Sequence, residues 1–174
     1  MSEQILVDET ALRLFVYGTL KRGYGNHELY CRSAITITPA VTWGRIYHLP
    51  VGYPAMELPQ DRILAYGTTD LLADLRTQKV VDWHETIWNR PQGDWDLIYG
   101  ELITFANPVN DLPPIDRLEG FKANGDSLYQ RVLIAAEDPK CNCLQTCWTY
   151  TMMHGIKGQR LTSGRWDTPN SICH

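Results

Sequence analysis

The stretch Phe15-Val16-Tyr17-Gly18-Thr19-Leu20-Lys21-Arg22-Gly23-Tyr24-Gly25-Asn26-His27 decides how this chain is read. Leu12 to Tyr17 is apolar and aromatic apart from Arg13, which predicts a buried strand. The strand runs into Gly18, and Gly23 and Gly25 follow. Glycine accepts positive φ, so the chain can turn sharply there and leave backbone N–H groups exposed. Successive N–H groups facing into a bend form a concavity that binds anions. Asn26 is placed to cap a helix starting at His27. Strand, N–H-rich turn and helix start together predict a substrate-anchoring element. An ordinary βα connection is the other reading.

Outward from this stretch, residues 27–34 form a short helix candidate with Leu29 and Tyr30 as its buried side chains. From Val41 to Leu49 the residues alternate, with Val41, Trp43, Tyr47 and Leu49 on one parity and Arg45 interrupting. That predicts a strand with one half-buried face. Pro50, Gly52 and Pro54 break it, which makes residues 51–56 a loop. Between residues 60 and 95, Asp70 caps a helix carrying Leu71, Leu72 and Leu75. Trp83, Trp88 and Trp95 follow and predict a flap over the body or a partner interface. A flap beside the pocket mouth would set specificity.

Leu97 to Phe105 is a strand. Pro113 and Pro114 suit the first turn of a short helix capped by Asp111. That helix ends on Glu119 at Gly120. Leu128 to Ala136 and Leu144 to Met152 predict a hairpin turning at Asp138-Pro139-Lys140. Residues beyond Gly155 are irregular. No internal repeat interrupts this order. Strands with few, short helices predict an α+β fold with a mostly antiparallel sheet.

The totals limit what such a chain does. It has 174 residues, 44% of them hydrophobic and 21% charged, which fits one domain, 1–174, with a proper core. The net charge is −4 and the pI about 5.7. No basic run or aromatic–basic stripe is present, so no nucleic-acid partner is expected. No apolar stretch is long enough to span a bilayer, so no membrane partner is expected either. Met1-Ser2-Glu3-Gln4 lacks the features of a secretory leader. Five cysteines are then read as reduced thiols of a cytoplasmic protein.

Glu119 is the acid with chemical promise. It ends a helix, where the macrodipole disfavours negative charge. An apolar surrounding would act in the same direction. Together they suit a general acid or base working near neutrality. A solvated helix-end carboxylate is the other reading. Cys141, Cys143 and Cys147 with His154 have only one pair at zinc-ligand spacing, so no metal is expected. Cys31 with a histidine has no local motif for nucleophilic catalysis. Neither phosphate-binding glycine motif is present.

Four blocks resemble the γ-glutamylcyclotransferase-like superfamily, most of all its γ-glutamylamine cyclotransferase branch. They are residues 15–23 with Asn26-His27, then Gly52-Tyr53-Pro54-Ala55, then Tyr99-Gly100-Glu101-Leu102, then Ile115-Asp116-Arg117-Leu118-Glu119-Gly120 with Leu128-Tyr129-Gln130-Arg131. They stand in family order over residues 14–131. The resemblance implies a small mixed, mostly antiparallel β-barrel with a few short helices and a pocket at one end. It implies that Tyr17, Gly18, Thr19 and Leu20 bind the glutamyl portion through their backbone. Glu119 is implied as the catalytic acid/base, and Tyr129 as a residue that shapes the pocket. It implies no metal and no other cofactor. Residues 60–95 are more than the family leads one to expect and read as an insert.

The implied reaction suits these residue types. The α-amine of a γ-glutamyl compound attacks its own side-chain carbonyl, closing 5-oxoproline and releasing an amine. The substrate supplies the nucleophile, so the enzyme must fold the chain and move a proton. The expected partner is a small-molecule γ-glutamyl substrate, with a homodimer left open. A non-catalytic small-molecule-binding or protein-interaction module on the same fold is the alternative.

Overall fold

β1 (Leu12–Val16) is buried on both sides except at Arg13, and the sheet explains why. In the computed structural model, which describes residues 11–81 and 88–167, β1 lies between two strands. It runs antiparallel to β5 (Asp96–Phe105), from Leu12↔Phe105 to Val16↔Glu101. On its other side it meets β7 (Cys143–Met152) in parallel at Leu14↔Trp148. A strand covered on both edges and both faces needs a continuous apolar run, and Leu12 to Val16 supplies it.

The long strand β2 (Ala34–His48) pairs with β5 from Ala34↔Phe105 to Gly44↔Asp96. β6 (Tyr129–Asp138) and β7 form the expected hairpin, in register from Tyr129↔Met152 to Asp138↔Cys143. β6 then returns to β2 at Val41↔Glu137. The path β2-β5-β1-β7-β6 therefore closes on itself. Three short strands trim this circuit. β3 (Pro54–Glu57) and β8 (Gln159–Arg160) pair with the far end of β2. β4 (Ala65–Tyr66) pairs with β6. The helices are α1 (Gly25–Tyr30), α2 (Leu71–Val80) and α3 (Pro108–Glu119). The result is the mostly antiparallel α+β architecture expected from the strand and helix pattern.

One face of the circuit carries Phe15, Ile46, Ile98, Val132 and Ile134, and the other, which α2 and α3 cover, carries Leu12, Leu14, Ile103, Phe105, Leu133 and Trp148. Arg131 is buried in the core. Its guanidinium donates to Asp74 Oδ2 and Asp116 Oδ1, each at 3.0 Å. It lies 4.8 Å from the Phe121 ring and 5.2 Å from that of Trp148. A buried cation needs such pairing, because unpaired it would cost several kcal/mol (roughly 3–5).

Several local expectations change. On β2 the buried parity is Ala40, Thr42, Gly44 and Ile46; of the expected face Val41 and Leu49 are buried, while Trp43, Arg45 and Tyr47 are half-buried and face outward. At Gly44 the inner side has no room for a side chain: a Cβ there would come 2.8 Å from the Glu57 carbonyl. The outward aromatics are covered instead. Trp43 packs against Trp88 at 6.5 Å, and the Arg45 guanidinium sits 3.9 Å over Trp95. Trp83 lies outside the described residues.

The expected loop 51–56 contains strand residues from Pro54 onward. α1 starts at Gly25 after Tyr24, so Asn26 is not its cap, and Leu29 is exposed while His27 is buried. Asp70 does cap α2, accepting from Ala73 N–H at 3.0 Å. That helix buries Asp74, Leu75 and Gln78, and Leu72 is exposed. α3 begins at Pro108, so Pro113 and Pro114 lie inside it and Asp111 is not its cap. Cys141 and Cys143 form a disulfide, against the expectation of reduced thiols throughout.

Candidate functional site

A cavity of about 690 Å³ opens where β1 ends. Tyr17 to Leu20 form one wall, and the end of α3, Leu118 to Gly120, forms another. Tyr129 and Tyr150 enter from β6 and β7. The segment from Leu49 to Pro54, leading into β3, completes it. All six residues singled out in the sequence, Tyr17, Gly18, Thr19, Leu20, Glu119 and Tyr129, therefore border one space.

The turn after β1 is fixed by its own neighbours. Lys21 N–H donates to Gly18 C=O at 3.0 Å. Asn26 donates to Thr19 Oγ1 at 2.9 Å, tying the turn to α1. Nδ1 of buried His27 lies 2.7 Å from Leu20 O. A carbonyl can only accept, so this nitrogen carries the proton. Arg22 is held by Glu101, whose carboxylate accepts from its N–H at 2.6 Å and from its Nε at 2.7 Å.

Gly18 serves close approach in this turn; the positive φ belongs to Gly23, at 93°. A Cβ on Gly18 would stand 2.5 Å from Pro54 Cγ. Gly100 is required for the same reason, because a Cβ there would run into the Val16 carbonyl oxygen. The glycines of the first and third sequence blocks thus let the turn nest against its neighbours.

Glu119 is the last residue of α3, and Gly120 ends the helix in the left-handed region at φ 66°. Burial pushes the Glu119 carboxyl up to about 7, and the nearby charge of Asp116 acts in the same direction. Asp116 lies one helical turn earlier, on the same side of α3. It accepts from Arg131 Nε at 3.0 Å and from Tyr150 OH at 2.6 Å. Burial also raises the Asp116 carboxyl, while Arg131 opposes the rise. The buried cation therefore serves Asp116, and Glu119 is left facing the cavity.

Three tyrosines surround that carboxyl. Tyr17 OH donates to Tyr150 C=O at 2.7 Å, and Tyr129 OH to Pro54 C=O at 3.0 Å. Burial, and then the charge of Glu119, pushes the Tyr129 phenol up to about 12. Tyr17 and Tyr150 are raised well above the ordinary phenol value, again with burial as the main cause. All three stay neutral near pH 7. Such a site can bind a polar chain, donate hydrogen bonds and exchange one proton through Glu119.

Other sequence candidates lie elsewhere. Among the described residues no group of His, Cys, Asp and Glu is arranged to hold a metal ion. Cys31 and Cys147 are buried, and burial pushes each thiol up to about 12, which leaves little thiolate for nucleophilic attack. No described residue of 60–95 lines the cavity, so the expected flap at its mouth does not hold for those residues. The sequence reading missed Asp116 and Tyr150. Asp116 had a readable signal, its position three residues before Glu119. Tyr150 had none, because it arrives from a distant strand.

Among the described residues no helix is long and apolar enough to cross a membrane. A search of curated proteins gives no significant match. Two of the solved structures that match are similar in fold. The Bacillus subtilis protein YkqA is 19% identical with a TM-score of 0.51, over 90% of this chain and 39% of its own. This chain thus spans well under half of that protein. An AIG2-like protein from Mus musculus is 16% identical with a TM-score of 0.50, over 93% of both chains. The family model described as gamma-glutamyl cyclotransferase, AIG2-like, matches residues 14–94 and 77–168. That match takes in the turn, the Gly100-Glu101 pair and the end of α3, and by it the chain belongs to the γ-glutamyl cyclotransferase, AIG2-like family.

Proposed function

We propose that this protein is a γ-glutamylcyclotransferase-type enzyme that converts a γ-glutamyl amide into 5-oxoproline and a free amine. The observation that carries this reading is a carboxyl raised to about 7 in the same cavity as the turn after β1. The N–H groups of Gly18, Thr19 and Leu20 are assigned to the glutamyl head and to the carbonyl oxygen as it gains charge. Glu119 takes a proton from the α-ammonium. The freed amine attacks the γ-carbonyl carbon, forming the ring C–N bond. Glu119 then returns the proton to the departing nitrogen as the original amide bond breaks, takes the surplus proton from the ring nitrogen and passes it to the released amine, which leaves as an ammonium. No water is consumed and no cofactor is called for. A base with a pKa near the working pH is the most effective at such two-way transfer.

Holding the glutamyl chain bent is the larger task. The walls at Tyr17, Tyr129 and Tyr150 are assigned to it, with Tyr129 braced on Pro54. The test is 5-oxoproline release from a panel of γ-glutamyl amides by the wild type and by Glu119→Gln. Loss of acid–base assistance should lower turnover by about 10²–10⁴, with substrate affinity kept within roughly tenfold. Turnover by Glu119→Gln close to the wild-type rate would remove Glu119 from the mechanism. Binding without turnover by the wild type would favour a non-catalytic module on this fold.

A further inference from the structure

We infer that the cavity accepts γ-glutamyl amides whose departing half is a hydrocarbon with no charged group besides the nitrogen it releases, an alkylamine or arylamine in place of an amino acid. This rests on the γ-glutamyl reading above and adds the identity of the departing half. With the glutamyl head at the turn and Glu119, the rest of the substrate must pass out through the mouth. Three separate segments bring exposed apolar side chains to that mouth. Val51 is 70% exposed, Tyr53 58% and Leu128 65%. Leu118, beside Glu119, joins them, with Leu49 buried behind.

Apolar side chains gathered at one opening are a surface that a ligand covers. At about 690 Å³ the cavity falls in the range of roughly 300–1,000 Å³ that holds drug-sized ligands, so room remains beyond the glutamyl head. Among the described residues, Glu119 is the one lining side chain that carries a formal charge at pH 8. A departing amino acid would bring a carboxylate toward Glu119 and find no cation among the described lining residues. An ammonium farther out would meet the apolar rim. A hydrocarbon amine fits both surfaces.

The experiment compares kcat/KM for γ-glutamylbenzylamide, γ-glutamylbutylamide, γ-glutamylglycine and γ-glutamyl-ε-lysine, read as 5-oxoproline released. Benzylamide should exceed glycine by about 10- to 100-fold, the return on burying one aromatic or aliphatic group. The variant Val51→Ser/Leu128→Ser should shrink that ratio several-fold. Leu72→Ser, which removes an equally exposed apolar group on α2, should leave the ratio alone. An equal or reversed ratio in the wild type overturns the inference while the cyclotransferase reading stands. So does a ratio that the double variant leaves unchanged, or that Leu72→Ser changes equally. A dimer at assay concentration that the double variant dissolves makes the rim a contact between copies and also overturns it. If no compound yields 5-oxoproline, the cyclotransferase reading itself fails, and this inference with it.

Discussion

Replacing Glu119 by Gln should change the pH dependence of stability, and this tests the site without any substrate. The carboxyl has an ordinary value of 4.5 and rises to about 7 in the folded protein. A group whose folded pKa is raised gives stability that is fully present below the unfolded value and is lost as pH climbs through the folded one. For Glu119 the window runs from about 4.5 to about 7. The rise is about 2.5 pH units, each worth about 1.36 kcal/mol, so the wild type should lose up to about 3 kcal/mol across the window from this group alone. Glutamine has the same shape and does not titrate. Denaturant unfolding of both proteins at pH 4 and pH 8 measures the effect. The difference, variant minus wild type, should be more positive at pH 8 by up to that amount. A difference that is the same at both pH values would refute the raised carboxyl and weaken the case for Glu119 as a base.

Asp116→Asn removes the smaller of the two causes that raise Glu119. The acid limb of the pH–rate profile should therefore move down, by less than half of the rise, at most about 1 pH unit; an upward or absent shift would contradict the coupling. Arg131→Met leaves Asp74 buried without its cation. It should cost about 3–5 kcal/mol in denaturant unfolding, and a cost under about 1 kcal/mol would show that Arg131 is not what ties α2 and the end of α3 to β6. Gly100→Ala should destabilise the protein by more than the roughly 1–3 kcal/mol typical of overpacking, since the clash is with the Val16 backbone. A melting temperature unchanged by that substitution would show that β1 and β5 can separate there.

The parts of the fold that were legible share a physical feature: their inward residues are apolar and large. β1 shows it on both faces and β6 shows it from Val132 to Ile134, while in β7 Trp148, Tyr150 and Met152 carry the signal although Thr149 and Thr151 are buried between them. β2 was misread because its inner face is built from Ala40, Thr42 and Gly44, which carry little hydropathy. Thr42 is satisfied there by donating to Ala135 C=O at 3.0 Å, a partner no local pattern announces. The buried side of α2 is polar for the same kind of reason. Gln78 accepts from Arg13 N–H and donates to Ala11 C=O, each at 3.0 Å, so it completes the backbone hydrogen bonding at the start of the first strand. α3 was cut short by treating Pro113 and Pro114 as a start. Each removes one helical hydrogen bond, and the freed carbonyls belong to Val109 and Asn110, both exposed, where water can meet them.

At the site, short motifs located the turn and Glu119, but they could not show what holds the two together. The answer runs through Arg131, which links Asp74 of α2 to Asp116 of α3. Thr68 sets the far end of this chain by donating its N–H and its hydroxyl to Asp74, at 2.9 and 2.7 Å. Asp74 is fully committed by these bonds, and Asp116 is tied to Arg131 and Tyr150. The end of α3 is thereby held against β6 and β7, with Glu119 pointed at the cavity and its neighbours already paired. An isolated carboxyl raised by burial is costly to keep, and this paired network is what keeps it in place. On the proposed reading, the stretch around Asp70 to Val80 thus bears on the chemistry from behind, by positioning the helix that carries Glu119. Changes there should alter the titration of Glu119 before they alter which amine departs. On the proposed reading, the amine is left to the rim formed by Val51, Tyr53 and Leu128.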